Sequence, residues 1–197
     1  MRDRVSQVIV DLYQGVRLWT PEQFQENAFE LVKSVISFDS GMWGTGANSP
    51  YVIHSVHLYR QPSAMMEHYT RDLQHEDFVR AAVCENPGVT VNLADLMSPD
   101  EFTQTRIYKE FCVKYGILSA LSTTLVEPLS TLFCFISLWR KRLDRPFSEA
   151  ERQIKQALMP HLLESHRLNR FFSMRNAAGR PTNGTTQRLC AISDRLG

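Results

Sequence analysis

Six histidines and four cysteines are the side chains through which this 197-residue chain could do chemistry. The histidines fall into three groups: His54 with His57, His68 with Asp72 and His75, and His161 with His166. A metal centre needs several of them to converge. His54 and His57 lie in YVIHSVHLY, which alternates like a strand, and residues three apart on a strand point to opposite faces, so this pair cannot chelate one ion. His68, Asp72 and His75 share a helical face, but Glu67, Arg71 and Asp77 beside them make it a solvated, charged surface. Cys84, Cys112, Cys134 and Cys190 are scattered without a CxxC pair, which argues against a zinc cluster or a disulfide framework and leaves reduced core thiols. The neighbours of Cys84 and Cys112 are apolar or acidic and do not favour a thiolate. GxSxG, HExxH and a phosphate-binding glycine loop are absent, and MWGTGANSP reads as a glycine-rich hairpin. No catalytic residue, metal or cofactor is therefore expected.

Recognition is the chemistry that remains. Trp43, His57, Tyr59, Tyr69, Asp77, Phe78, Tyr108 and Phe111 combine aromatic surface with a few polar groups, the composition of a site for a largely apolar small molecule. The same aromatics can instead fill a core, which would make the protein a structural oligomerisation module without a ligand.

These residues must be positioned by helices and hairpins. DRVSQVIVDLYQG has helical spacing and a glycine stop at Gly15; TPEQF offers Thr20 as cap, Pro21 at the first helical position and Gln23 closing a capping box. A hairpin follows across ANSP, with Val52, His54, Val56 and Leu58 on one face of its second strand and Tyr51, Ile53, Ser55, His57 and Tyr59 on the other. Helices are expected over 62–74 and EDFVRAAVCEN, a strand at VTVNL, and one helix through EFTQTRIYKEFCVKYG ending at Gly116. LSALSTTLVE and STLFCFISLWR form a second hairpin turning at Glu127-Pro128. In its last strand Leu132, Cys134, Ile136 and Leu138 oppose Phe133, Phe135, Ser137 and Trp139, so both faces are apolar, as in a central strand. The order of elements predicts an α+β fold, a mainly antiparallel sheet with helices on its faces.

A formal net charge of +1 leaves no basic footprint for direct DNA or membrane binding, and no apolar run is long enough to cross a bilayer. With no secretion signal at the N-terminus, a cytoplasmic location is expected.

FDSGMWGTG, YKEFCVKYGILSAL, FISLWRKRLDRPFSEAER and LMPHLLESHRLNR together resemble the GAF-like N-terminal sensory region of bacterial LuxR-type transcription regulators. That resemblance implies a GAF/PAS-like fold over 1–175, a linker and the start of a further unit over 176–197, and control of a helix-turn-helix DNA-binding domain absent from this chain. It implies a small-molecule effector, with DNA reached only through the absent domain. Autoinducer-binding members of the group hold an acyl-homoserine lactone with a tryptophan, a tyrosine and an aspartate-proline pair. Here Tyr69 and Asp77 match, whereas Met65 and Phe78 stand at the tryptophan and proline positions. Other GAF-like proteins are thiol-based enzymes, a further alternative. A homodimer through the terminal helices is expected, since both carry apolar stripes. In PFSEAERQIKQALMPHLLESHRLNRFF, Ser148 and Glu151 form a capping box and Pro160 should bend the helix. The first half would pack on the sheet, and the second, with His161, His166, Arg167 and Arg170, would leave the domain toward a partner.

Overall fold

The computed structural model describes residues 2–48, 51–126 and 132–178. Helix α1 (Arg2–Leu18) runs past Gly15 rather than stopping there. The indole of Trp19 folds back over Gly15, where a Cβ would lie 2.3 Å from the ring, so this glycine is a packing notch within the helix. Helix α2 (Pro21–Lys33) opens on the expected capping box: Gln23 N–H donates to Thr20 Oγ1 at 3.4 Å, and Thr20 N–H donates to Gln23 Oε1 at 3.1 Å.

Strands β1 (Ser40–Asn48), β2 (Tyr51–Tyr59), β3 (Val91–Asn92), β4 (Ser119–Val126) and β5 (Leu132–Arg140) form one sheet in the order β2-β1-β5-β4-β3, every neighbour antiparallel. β5 is central, as its two apolar faces require. Of the expected turns, residues 49–50 of ANSP and residues 127–131 around Glu127-Pro128 lie outside the described residues. Between Thr45 and Gly46 the β1–β2 register shifts: Ser55 pairs with Thr45 but Ile53 with Gly46. His54 is therefore the extra residue of a bulge. The single alternation expected for β2 is corrected by it, since Ile53 joins the face of Val56 and Leu58 while Val52 joins that of Ser55, His57 and Tyr59.

One face of the sheet carries α1, α2 and the long α8 (Glu149–Ala178); the other carries α3 (Ala64–Asp72), α4 (Phe78–Glu85), α5 (Leu93–Leu96), α6 (Pro99–Gln104), a π-helical turn (Tyr108–Cys112) and α7 (Val113–Tyr115). The single helix expected through EFTQTRIYKEFCVKYG is thus divided. Thr105 leaves helical geometry at ψ 151°, and its hydroxyl accepts Tyr108 N–H at 3.2 Å to start the next segment. Gly116, at φ 65°, supplies the expected left-handed cap.

At the start of α8, Glu151 N–H donates to Ser148 Oγ at 3.3 Å and Ser148 N–H to Glu151 Oε2 at 2.9 Å. The helix continues through Pro160. Before it, Lys155 and Leu158 pack on the sheet; the Lys155 amine, 1% exposed, donates to Ile136 O at 3.0 Å and Thr123 Oγ1 at 2.5 Å. Burial holds that amine well below the ordinary lysine range. After Pro160 the helix does not leave the domain as expected. Asn169 Nδ2 donates to Val16 O at 3.1 Å and Trp19 O at 2.8 Å, filling acceptors at the C-terminal end of α1. His166 is buried, its ring 5.1 Å from Trp43 and 5.7 Å from Phe24. No described helix is long and apolar enough to cross a membrane.

Candidate ligand cavity

The face under α1, α2 and α8 is filled. Trp43 stands edge-on to Phe29 and Phe24, and its Nε1 donates to Cys134 Sγ at 3.1 Å. Tyr59 is fully buried beside Phe29 and Phe38, and its hydroxyl donates to Glu30 Oε1 at 2.5 Å. Burial, then the Glu30 bond, raises this phenol above its usual range, and the same bond lowers the Glu30 carboxyl. His57 stacks on Phe29 with Nε2 3.0 Å from Glu26 Oε2. Three of the eight residues expected to line a site, Trp43, His57 and Tyr59, are therefore on this face and separated by the sheet from the others. The odd positions that carry them in β1 and β2 point toward α2.

The opposite face is hollow. A cavity of about 130 Å³ lies between β1, β4 and β5 below and α3, α4, α6 and the π-helical turn above. Tyr69, Asp77, Phe78 and Phe111 line it. Tyr108 sits one layer out, its ring 4.9 Å from that of Phe102, which does line the cavity. Tyr69 OH donates to Asp77 Oδ2 at 2.8 Å, and Arg80 N–H donates to Asp77 Oδ1 at 2.9 Å. Asp77 is the N-cap of α4 and faces the cavity as well, which explains how an acidic side chain is held at an apolar wall.

Sequence reasoning missed most of the floor. Phe133, Phe135, Ser137, Ser122 and Thr124 come from β5 and β4, and Ser122 Oγ donates to Ser137 Oγ at 2.9 Å. The alternation of LFCFISLWR signalled that Phe133, Phe135 and Ser137 share a face, but not that the face is hollow. Cys84 and Cys112 also line the space. Burial, with Asp77 nearby, pushes the Cys112 thiol up to about 12, so it stays protonated at neutral pH, the wrong state for a nucleophile. The His68 ring lies between Phe111 and Tyr115, at 5.7 and 5.8 Å. Among the described residues no cluster of His, Cys, Asp and Glu could hold a metal.

Searches by sequence find no matching family model and no match among curated proteins. Solved structures do match. The ligand-binding domain of VqsR from Pseudomonas aeruginosa aligns with a TM-score of 0.60 at 17% identity, over 85% of this chain and 96% of that one. CepR2 of Burkholderia cenocepacia, an N-acylhomoserine-lactone-dependent LuxR family transcription factor, gives 0.60 at 14%, over 88% and 98%. A phycoerythrobilin-bound GAF domain of a cyanobacterial phytochrome gives 0.55 at 12%, over 85% and 96%. The shared property is the fold: an α+β domain of the kind found in LuxR-type ligand-binding regions and GAF domains.

Proposed function

We propose that this chain is a ligand-sensing and dimerisation domain that controls a helix-turn-helix DNA-binding module in the cytoplasm. The observation that carries the reading is the cavity itself, largely apolar, with the polar pair Tyr69–Asp77 in its wall and Ser122–Ser137 in its floor. Its fold likeness to ligand-binding regions of transcription regulators supports the same reading. A route to α8 is also present. Thr124 lines the cavity and its carbonyl accepts Gly88 N–H at 2.7 Å; Gln156 of α8 donates to Gly88 O and accepts Thr90 N–H, both at 2.6 Å. A ligand that prefers one arrangement of this wall biases the position of α8. The exposed Val10, Leu18, Phe171 and Met174 on α1 and α8 are apolar surface for a second copy.

Native mass spectrometry of the purified chain tests the sensing reading. A retained small molecule, lost in Tyr69→Phe, is expected; a ligand-free protein indifferent to added compounds would leave the structural oligomerisation module. Sedimentation is expected to show a dimer, and a monomer independent of concentration would refute that part.

A further inference from the structure

We propose that the occupant of this cavity presents one planar aromatic ring to the sheet, with a hydrogen-bond donor at its edge, a proposal that rests on the ligand-sensing reading above. The floor is the reason. On the cavity face of β1, Gly44 and Gly46 stand opposite Phe135 and Phe133 of β5. With no side chains in the way, both phenyl rings lie down across β1: a Cβ at Gly44 would be 2.1 Å from Phe135 Cζ, and one at Gly46 2.6 Å from Phe133 Cζ. Side chains on a strand ordinarily stand up from the sheet. Here the two ring centroids are 6.1 Å apart with 30° between their planes, so neighbouring rings of similar orientation make an aromatic floor.

The walls present further rings. Phe78 meets Phe102 edge-on at 6.0 Å, and Tyr69 lies 5.6 Å from Phe111. A ring between floor and walls gains the offset-stacked and edge-to-face contacts that aromatic pairs prefer. The space, about 130 Å³, is close to that of a dry cavity of about 150 Å³ known to take benzene. An alkyl chain would fill it only by freezing its rotors. The polar group follows from Asp77. Tyr69 OH and Arg80 N–H bond different oxygens of the carboxylate, and a carboxylate oxygen can accept more than one bond, so a phenolic O–H or a ring N–H fits there.

Titration calorimetry of the whole chain with phenol, cyclohexanol and 1-hexanol, each with six carbons and one O–H, tests the proposal. Phenol is expected to bind roughly threefold to tenfold more tightly than the other two. Phe135→Leu should erase that preference while keeping cyclohexanol affinity. Upfield ring-current shifts of phenol protons on the unaltered protein give a second readout, independent of whether the variant folds. Cyclohexanol or hexanol binding as tightly as phenol would overturn the aromatic class and leave ligand sensing intact. Binding of none of the three overturns it too, and native mass spectra then decide the broader reading: another retained compound saves it, a ligand-free protein ends it.

Discussion

The two faces of one sheet use the same kinds of residue for opposite ends. Beneath α1, α2 and α8, the aromatics of β1 and β2 interlock with Phe24, Phe29, Phe38 and His166, and scarcely any space is left. Beneath α3 to α7, Phe133 and Phe135 lie flat over glycines and leave a cavity. The difference teaches that aromatic content does not distinguish a core from a pocket. What distinguishes them is whether the covering layer is long helices with continuous stripes or short helices joined by turns, which cannot close over every side chain.

If that contrast is right, truncation on the filled face should be costly. Trp43→Ala is expected to lose about 3 to 5 kcal/mol in urea unfolding, because a rigid surround leaves a cavity. An effect no larger than that of a cavity-wall truncation would break the comparison.

The filled face should also be acid-sensitive. Burial, then the Arg170 charge, lowers the His166 pKa from 6.5 to about 4. Between those values the unfolded chain holds the extra proton, so stability is fully present above 6.5 and is lost as pH falls through about 4. The loss across that window is about 3 kcal/mol. Denaturant midpoints against pH should show it, and His166→Leu should flatten the slope.

Next comes the clasp between α8 and α1. Asn169→Ala leaves the Val16 and Trp19 carbonyls without that donor and should cost about 1 to 3 kcal/mol. Faster amide exchange confined to the end of α1 would sharpen the point; unchanged exchange would argue against it.

The smallest effect is expected on the hollow face. Val79 of α4 is half-buried at the cavity wall, so Val79→Ala only enlarges an existing space and should cost less than about 1 kcal/mol by thermal melt. A loss approaching that of Trp43→Ala would mean that both faces are equally packed.

Much of the scaffold was legible locally. The Thr20–Gln23 and Ser148–Glu151 boxes, the left-handed Gly116 and the two-sided β5 each depend on a few adjacent residues whose chemistry permits little else. Gly15 misled because its partner, Trp19, acts through packing and not through backbone preference. Of the eight residues expected at a site, Tyr69, Asp77, Phe78 and Phe111 meet at one cavity; Trp43, His57 and Tyr59 lie across the sheet and Tyr108 one layer out.

The sequence by itself determined which residues of β5 share a face, where α2 and α8 begin and where α7 ends, since alternation and capping act over two to four residues. Tertiary structure decided which face is filled and which is hollow. It also decided, through the bulge at His54, to which face Ile53 belongs, and it kept the second half of α8 against α1. Those outcomes depend on contacts between residues far apart in the chain, and the register shift of one residue moves a side chain from one face to the other. Periodicity can pair residues on a face, but only the packing of distant helices says what lies above it.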